Sequence, residues 1–567
     1  MKLLKSKFFP FIALFLLTIP AFWFLLRPGI YWNMHDDMQL VRQMEMEKCL
    51  KDGQIPCRWT PDLGYGYGYP LFNFYPPAPY FVGQIFRFTS LPFIETIKLT
   101  AVTQFIVSAL GMYLLASSLF GIYGGILSSI FYTYAPYHAV NIYVRGAMNE
   151  AWASAFFPFI LYFSKKYIEK RQLSSLIYLS LSFALLMLSH NPMVLIFSPF
   201  VLIWSLFWIY QQKIKLRLPS IISLGASSIL AFCLSAFFTL PVLFETKYVQ
   251  VESMFINYYH YSIHFVSLKQ LFINSFWGDG PSVWGTSDGM SFSIGYLHWI
   301  IPLLISLYIA LKYIRRQKVT VLDVATLLIT FSALFTTFLT HERSTFIWQI
   351  LSPIQKIQFP WRFLNVAAFL FSLSVGYVGY FIKDYKNKTK IFLVSVITVL
   401  LFLLNISHFT PVTSGPITDA QKFSGIAWTN QITGGIYDYL PKTASTAPKS
   451  PAKDYIDEVI PTNSKYELTG QKKGTDWTFF NIKNDTPITI YLPILDFPYF
   501  QVNLDGKNIK HQTEPLLGRV SISLESGQHQ IYVKLTNTPI RTVGNLLTTV
   551  ALITVLLSLI YIWKKSK

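Results

Sequence analysis

Residues 192–210 read PMVLIFSPFVLIWSLFWIY, a run without a single charged side chain. A helix needs about 20 mostly apolar residues to cross the hydrocarbon core of a bilayer, and this run is long enough. It is followed at 211–217 by QQKIKLR, a basic cluster of the kind that stays on the cytoplasmic side of a membrane. An apolar run followed by a basic cluster is the pattern that decides the fold.

The same pattern recurs along the chain. Hydrophobic residues make up 52% of the 567 residues and charged residues only 13%, which excludes a soluble enzyme and a disordered chain. The sequence therefore predicts a polytopic α-helical membrane protein with about 12 transmembrane helices. The predicted spans are 8–26, 95–119, 122–141, 150–167, 173–189, 192–210, 220–243, 292–312, 321–339, 361–382, 390–408 and 541–563.

Basic residues between the predicted spans set the orientation of the chain. If the N-terminus is cytoplasmic, every basic cluster falls on the cytoplasmic side, as the positive-inside rule requires. Both termini are then cytoplasmic, and the first span is predicted to be a retained anchor in the cell membrane. This placement accounts for the net charge of +19, so no nucleic-acid partner is expected. The clusters are Lys165/Lys166/Lys170/Arg171, Lys213/Lys215/Arg217, Lys312/Arg315/Arg316/Lys318, Lys383/Lys386/Lys388/Lys390 and Lys564/Lys565/Lys567.

Long extracytoplasmic segments remain between the spans, at 27–94, 244–291 and 410–540. In the third segment, alternating runs such as Ile488–Leu492 and Val520–Leu524 are separated by turns such as Asp505-Gly506. This pattern predicts a β-rich, sandwich-like domain. The predicted domains are a GT-C-like transmembrane domain at 1–409, an extracytoplasmic β-rich domain at 410–540 and a final helix with a basic tail at 541–567.

The first outer loop has features of its own. The stretch 76–90 starts with prolines and is too short to span, which predicts an interfacial helix. The run GYGYGYP at 64–70 cannot hold a regular helix, and its tyrosines are expected either in the interfacial belt or in a lip that stacks on a sugar or lipid. Cys49 and Cys57 share this loop, and the sequence leaves open whether they form a disulfide.

Ionisable and polar residues gather at the predicted outer helix ends, where burial is costly unless the groups are paired or used. Each has an ordinary structural alternative. Asp36 and Asp37 suit a helix N-cap, Glu150 suits a helix N-terminus, and Arg145 suits the membrane interface. The residues are His35, Asp36, Asp37, Arg145, Asn149, Glu150, His190, Asn191, His341, Glu342, Arg343, Trp361 and Arg362.

Two of these outer segments resemble a known superfamily. The acidic first loop, with His35-Asp36-Asp37, and the second loop, with Arg145 and Asn149-Glu150, resemble the GT-C superfamily of polytopic glycosyltransferases. The segment VRGAMNE, which ends at Glu150, is similar to the oligosaccharyltransferase loop that ends in Asp-Asn-Glu, although Met148 replaces the first acid. The sequence contains no Walker A, dinucleotide-binding, HExxH or GxSxG motif, so nucleotide-driven pumping is not expected.

A closer resemblance extends over nearly the whole chain. The chain resembles bacterial membrane proteins named for a 6-pyruvoyl-tetrahydropterin synthase-related domain, and the related YfhO-like proteins. Each shared motif is short. The motifs are Asp36-Asp37, the aromatic and glycine stretch at 64–76, Glu150-Ala151-Trp152, His190-Asn191-Pro192, Phe359-Pro360-Trp361-Arg362-Phe363, Phe497-Pro498-Tyr499-Phe500 and Asp505-Gly506-Lys507.

The GT-C resemblance implies transfer of a sugar from a polyprenyl-phosphate donor to an extracytoplasmic glycan, lipid or protein, with inversion at the anomeric carbon. It implies Asp36 or Asp37 as the base, and Glu150 as an acid that orients the acceptor or joins the Asp pair in holding Mg²⁺ or Mn²⁺. The remaining implied roles are phosphate binding by Arg145, Arg343 and Arg362, and substrate binding by His35, Asn149, His190, Asn191 and Trp361.

Other functions fit the same composition. A transporter or flippase of a lipid-linked glycan is one, although it favours ionisable groups near mid-membrane and an internal repeat. A non-catalytic membrane scaffold whose β-rich domain binds a glycan is another. The scaffold predicts that Asp36, Asp37 and Glu150 tolerate substitution, whereas changes in 410–540 impair function.

Overall fold

The computed structural model describes residues 9–283, 285 and 288–566. Among these residues, eight helices are long and apolar enough to cross a membrane. Shorter apolar helices occupy Pro10–Leu26 and Leu173–Met187, and Met148–Lys170 forms a further helix. The eight helices are Phe93–Thr133, Asn191–Tyr210, Ile214–Tyr248, Tyr296–Ile314, Val321–Phe338, Pro360–Phe381, Asn387–His408 and Pro539–Lys565.

All twelve predicted spans therefore contain helix, and the fold is that of a polytopic helical membrane protein with a β-rich C-terminal region. That all twelve cross a membrane stays a prediction. Lys2, Lys5 and Lys7, which precede the first span, lie outside the described residues. The other helices of at least four residues are Gln39–Asp52, Leu71–Phe74, Ala78–Arg87, Pro136–Ala139, Val140–Val144 (a π-helix), Val251–Phe255 (a 3-10 helix), Leu268–Phe272, Thr345–Ile350, Ser352–Gln355, Asp419–Lys422 and Gly425–Thr433.

The helix Phe93–Thr133 folds back on itself at Gly121, whose φ of 76° and ψ of 178° are not helical. Ser129 Oγ donates a hydrogen bond to the carbonyl oxygen of Ala109 at 2.7 Å. In a straight helix these two residues would lie about 30 Å apart. The segment is therefore a helical hairpin, and it turns at the position where the sequence predicts a break between two spans. The third predicted span, 122–141, ends as a regular helix at Thr133.

The β-rich region is a sandwich of two antiparallel sheets. The strands of the protein are β1 Ile30–Trp32, β2 Ser414–Pro416, β3 Glu458–Ile460, β4 Tyr466–Lys473, β5 Trp477–Asn484, β6 Ile488–Leu495, β7 Phe500–Leu504, β8 Lys507–Ile509, β9 Gln512–Thr513, β10 Arg519–Leu524 and β11 Gly527–Leu535. One sheet of the sandwich has the order β3-β6-β10-β9 and the other has the order β4-β5-β11-β7-β8. Alternate side chains of both sheets, among them Phe480, Ile490 and Val533, face inward and are fully buried.

The sandwich strands occupy only residues 458–535 of the segment 410–540. The beginning of the segment lies against the first outer loop, because β2 pairs antiparallel with β1. Asp419 then accepts hydrogen bonds from the backbone amides of Phe93 and Ile94 at the start of the helical hairpin, at 2.6 and 3.0 Å. Residues 414–422, here called the strap, thereby connect the sandwich to the membrane-spanning helices.

The first outer loop is packed between the helices and the sandwich. Cys49 and Cys57 form a disulfide, which the sequence leaves open. Tyr67 and Tyr69 are buried, and Tyr67 donates a hydrogen bond to Asp457 at 2.9 Å. Burial of these two rings corrects both sequence-based interpretations of the glycine-tyrosine run, because the rings contact protein instead of forming a belt or a free lip. The predicted helix within 76–90 is present at Ala78–Arg87.

A buried ionic cluster joins these parts, and we call it the junction cluster. Glu245 accepts hydrogen bonds from Arg541 Nε and from Asn73, each at 2.9 Å, and from Thr538 at 2.5 Å. Arg58 bonds to Asn73 Oδ1 at 3.0 Å. Burial, together with the charge of Arg541, lowers the pKa of Arg58 to about 9. The junction cluster thus comprises Glu245, Arg541, Thr538, Asn73 and Arg58.

Candidate functional site

The first outer loop is fixed to the loop after the helical hairpin by backbone hydrogen bonds. The amides of His35 and Asp36 donate to the carbonyl oxygens of Val144 and Arg145, each at 3.0 Å. Gly146 allows this approach, because its φ is +62° and a Cβ atom there would lie 2.3 Å from Met34 Sδ. The acidic pair and the arginine, which are more than a hundred residues apart in sequence, therefore lie next to each other.

Glu150 lies at the centre of a buried charge cluster. Its carboxylate accepts hydrogen bonds from Arg145 Nη1 at 2.8 Å and from the Tyr137 hydroxyl at 2.9 Å. Arg362 Nε lies 3.3 Å from the same carboxylate. The side chain of Glu150 is only 1% exposed. A buried carboxylate needs partners, and Arg145, Arg362 and Tyr137 provide them for Glu150.

Arg145 is oriented from two sides. Arg145 donates hydrogen bonds from Nη1 to Glu150, to Tyr137 and, at 2.6 Å, to Asn141. Among the described residues, these are its side-chain hydrogen bonds. Its guanidinium carbon lies 4.4 Å from the ring centroid of Trp361. Stacking on an aromatic face and a carboxylate contact hold a guanidinium in a fixed plane. Of the predicted residues, the structure therefore brings Arg145, Glu150, Trp361 and Arg362 together.

Asp36 lies at the edge of this cluster and is about one-third exposed. Its carboxylate accepts hydrogen bonds from Arg42 at 2.6 Å and from Gln39 at 3.1 Å. Arg42 also donates to the Tyr75 hydroxyl at 2.9 Å and stacks over the Tyr75 ring at 4.3 Å. Asp36 is thus a partly exposed carboxylate with an arginine partner of its own.

Asp37 is the other acid of the pair, and its side chain is 34% exposed. Its Oδ2 atom forms an ion pair with Lys422 of the strap. Its Oδ1 atom is buried and has no hydrogen-bond partner among the described residues. Burial raises the pKa of Asp37, and the charge of Lys422 opposes that rise. Asp37 is therefore a stronger base than an ordinary aspartate, and one of its oxygens is unpaired.

Two of the predicted substrate-binding residues are used as structural contacts. Asn149 donates to the carbonyl oxygens of Pro76 and Ser189 at 2.7 and 3.0 Å and is buried. His190 caps the helix Asn191–Tyr210, with its Nδ1 accepting from the Met193 amide at 3.3 Å. Burial, aided by Arg362 and Arg145, holds the pKa of His190 well below its usual value, so the ring is neutral.

The remaining predicted residues differ in where they lie. His35 is exposed, and its Nε2 is 2.7 Å from the carbonyl oxygen of Asp279 in the second long outer loop. Asn191 is the first residue of its helix and is half-buried. Arg343 is exposed, and among the described residues it makes no side-chain contact with Glu150 or the Asp pair. The structure does not bring Arg343 into the cluster.

The predicted ligand set for Mg²⁺ or Mn²⁺ does not form. Asp36 is bonded to Arg42, Asp37 is paired with Lys422, and Glu150 is held by Arg145. In the described part of the chain, no group of three or more His, Cys, Asp or Glu side chains is placed to hold a metal ion. The three carboxylates therefore do not fit a shared divalent cation, because each is neutralised by a different cationic side chain.

Several neighbours of the acidic pair are not among the sequence-predicted residues. Arg42 and Lys422 pair with the two aspartates, and Tyr137 bonds to Glu150. Asp438 lies near Asp36 and Arg42, and burial raises its pKa to about 6. Tyr137 lies in the short helix Pro136–Ala139, directly after the helical hairpin. Its closeness to Arg145 in sequence is the feature that could have indicated a place in the site. Lys422 and Asp438 follow the acidic pair by about four hundred residues in sequence.

Comparison with known proteins identifies one family and several proteins of low sequence identity. An uncharacterised protein of Lactococcus lactis subsp. cremoris (strain MG1363) is 24% identical over 249 residues, 43% of this chain and 41% of the relative. The apo oligosaccharyltransferase of Archaeoglobus fulgidus is 11% identical with a TM-score of 0.42, covering 79% of this chain and 61% of that one. The arabinofuranosyltransferase AftD from Mycobacteria is 11% identical with a TM-score of 0.40, covering 76% and 27%.

The chain thus spans less than half the length of the Lactococcus relative and under two thirds of each of these two solved chains. The family model described as 6-pyruvoyl-tetrahydropterin synthase related domain, membrane protein, matches residues 72–412. This match covers more than half of the chain and includes Arg145, Glu150 and Arg362. The protein belongs to the membrane-protein family of the 6-pyruvoyl-tetrahydropterin synthase related domain.

Proposed function

We propose that this membrane protein is a glycosyltransferase of the GT-C type. It transfers a sugar from a polyprenyl-phosphate donor to an extracytoplasmic acceptor, which is a glycan, a lipid or a protein. One observation carries the proposal. The backbone bonds between His35-Asp36 and Val144-Arg145 put partly exposed carboxylates beside a buried pair of guanidinium groups. A base next to fixed positive charge is what displacement of a phosphate requires.

The proposed reaction is a single displacement. The hydroxyl or amide of the acceptor attacks the anomeric carbon and passes its proton to the carboxylate of Asp37. The bond between the anomeric carbon and the phosphate oxygen breaks, and the polyprenyl phosphate leaves as an anion. Since phosphate departs without protonation, no general acid is needed, and the configuration at the anomeric carbon is inverted. Asp37 is the favoured base because burial raises its pKa while its side chain remains about one-third exposed.

Arg145 and Arg362 are the proposed partners of the departing phosphate. Arg145 uses only Nη1 for its bonds to described residues, so its other nitrogens remain for an anion. Charge-assisted donors of this kind stabilise developing negative charge. Glu150 is fully buried between the two arginines, so we assign it a positioning role in place of acceptor binding. Arg343 stays a prediction as a further phosphate contact.

We also propose that the protein lies in the cell membrane with both termini cytoplasmic and with the acidic pair and the sandwich outside. Two observations support this orientation. The basic clusters all fall on one side of the predicted spans. The first outer loop contains the Cys49–Cys57 disulfide, and such bonds persist in oxidising compartments outside the cytoplasm.

The test is a transfer assay with purified full-length protein in liposomes, radiolabelled polyprenyl-phosphate sugars and an envelope extract as acceptor. Asp37→Asn removes the base, and we expect turnover to fall by about 10²- to 10⁴-fold while donor binding is retained. Asp454→Asn is the matched control, because Asp454 is 85% exposed on the sandwich and should leave turnover unchanged. Full activity in both Asp36→Asn and Asp37→Asn would show that neither aspartate is the base.

A further inference from the structure

The outward face of the five-stranded sheet has an unusual composition. Side chains of β5, β11 and β7 alternate between buried inward positions and more exposed outward ones. The strand register places the outward residues side by side in rows across the sheet. The outward set contains no aliphatic side chain. It comprises Glu467, Thr469, Lys472, Trp477, Phe479, Asn481, Lys483, Gln501, Asn503, Asn508, Gln528, Gln530, Tyr532 and Lys534, here called the sheet platform.

Three aromatic rings lie together in the middle of the sheet platform. Phe479 and Tyr532 are directly opposite on neighbouring strands, and the ring centroids of Trp477 and Tyr532 are 6.2 Å apart. These rings belong to none of the four hydrophobic clusters of the described residues and are partly exposed. Trp477 and Tyr532 are in ring contact, and Phe479 lies opposite Tyr532 on the neighbouring strand. Partly exposed aromatic clusters of this kind mark binding surfaces.

Amide side chains border the rings. Across the sheet, Asn481 and Gln530 are paired on one side of the aromatic row, and Tyr532 is followed by Asn503 and then Asn508. An aromatic face binds the C–H face of a sugar ring, and amides donate and accept hydrogen bonds with its hydroxyls. Lysine is depleted from the cores of protein interfaces, whereas three lysines lie among these rings and amides.

The charge of the sheet platform is positive. Lys472, Lys483 and Lys534 are outward-facing, and Glu467, which is paired across the strands with Lys483, is the one acidic side chain of the set. This excess favours a ligand with negative groups, such as phosphodiesters or uronic acids. Long-range attraction of this kind raises the rate of association and selects charged partners.

We propose that the sheet platform binds an anionic glycan chain. Trp477, Phe479 and Tyr532 stack on sugar rings, the asparagine and glutamine side chains bond to hydroxyls, and the lysines contact the negative groups. The Trp477 end lies beside Asp52, since both residues border Gly474. The helix Gln39–Asp52 then leads back to the acidic pair over about 20 Å. Binding at this surface does not depend on whether Asp37 transfers a sugar.

The experiment measures binding alone. Purified full-length protein in detergent is sedimented with cell-wall sacculi from the source cells, either intact or stripped of phosphodiester-linked polymers by hydrofluoric acid. We expect the wild type to sediment with intact sacculi and several-fold less with stripped ones. Trp477→Ala/Tyr532→Ala should weaken binding at least tenfold, and Trp477→Phe/Tyr532→Phe should restore most of it. Tyr466→Ala is the control, because Tyr466 is an exposed aromatic on the opposite face of the same sheet.

Each unfavourable outcome overturns a stated part of the proposal. A wild type that fails to sediment, or an alanine pair that sediments as the wild type does, excludes a glycan on this surface. Equal binding to stripped and intact sacculi excludes the preference for negative charge. If the alanine pair changes the oligomeric state measured by mass photometry, the sheet platform is an interface between copies. Equal thermal unfolding midpoints of all variants establish that the fold is intact.

Discussion

At the scale of single residues, the acidic pair has two different environments within one dipeptide. Asp36 contacts Arg42, which belongs to its own loop, whereas Asp37 contacts Lys422, which belongs to the strap. Burial raises the pKa of Asp37 while the lysine charge opposes the rise. Two neighbouring carboxylates with different environments are suited to different roles, and the raised pKa of Asp37 suits proton removal.

The pH dependence of transfer tests this assignment. A base must be ionised to act, so turnover should rise with pH through the raised pKa of Asp37. Lys422→Met removes the charge that lowers this pKa, and we expect the acid limb of the pH–rate profile to move to higher pH by about one unit. Lys442→Met, which affects an exposed ion pair with Glu252, should leave the profile unchanged. A Lys422→Met profile that coincides with the wild type would exclude Asp37 as the titrating base.

Sequence reasoning found the acids and arginines of the site but not their partners. Asp36, Asp37, Arg145 and Glu150 are visible because charged residues at the ends of apolar runs are rare. The contact with Lys422 is invisible, because it depends on how the strap crosses the first loop. The burial of Glu150 between Arg145 and Arg362 is likewise a tertiary contact. The sequence could not reveal it, so Glu150 was interpreted as a substrate or metal ligand.

At the scale of elements, the helical hairpin depends on one glycine. Gly121 has a φ of 76° with an extended ψ, a conformation that side chains strongly disfavour. Two apolar runs flank this glycine in the sequence. Because they are together too long for one span, they predict a break between them. In the sandwich, β6 and β10 contain the predicted runs Ile488–Leu492 and Val520–Leu524, whereas β4 and β5 were not predicted. Burial of β4 is low and its charges conceal any alternation, so the strand is recognisable only from its pairing with β5.

Substitution at the turn tests its role. No atom lies within 4 Å of a Cβ added at Gly121, so Gly121→Ala introduces backbone strain without a clash. We expect a loss of about 1–3 kcal/mol in stability, seen as a lower midpoint of thermal unfolding in detergent. Gly225→Ala provides the matched control, since a Cβ there also meets nothing and its φ is not positive. Equal midpoints for the two variants would contradict a strained turn.

At the scale of the whole molecule, the junction cluster holds three parts together. Arg58 comes from the first outer loop, Glu245 ends one long helix, and Arg541 begins the C-terminal helix. Arg541 also lies 5.0 Å from the ring of Phe497 in the sandwich. Glu245 forms an ion pair with Arg541 and is linked to Arg58 through Asn73, so its negative charge acts on both buried guanidinium groups. None of these pairings follows from the local sequence of the three segments.

Neutralising the shared acid tests the junction cluster. Glu245→Gln leaves two buried guanidinium groups without a carboxylate, and we expect a loss of about 3–5 kcal/mol in stability. Glu252→Gln breaks an ion pair whose acid is 67% exposed and should cost less than about 1 kcal/mol. Denaturation followed by intrinsic fluorescence in detergent compares the two variants. A Glu245→Gln protein as stable as Glu252→Gln would mean that the cluster is not neutralised by Glu245.

The strap has a consequence for protein engineering. Lys422, the counter-ion of Asp37, and Ser414–Pro416, the strand partner of Ile30–Trp32, both belong to the chain that enters the sandwich. A chimera that exchanges the sandwich for that of a homologue must therefore keep residues 414–422 with the host loop they contact. A graft joined upstream of 414 would replace Lys422 together with the sandwich. It would change the environment of Asp37 even though every membrane-spanning helix of the host before that point was left untouched.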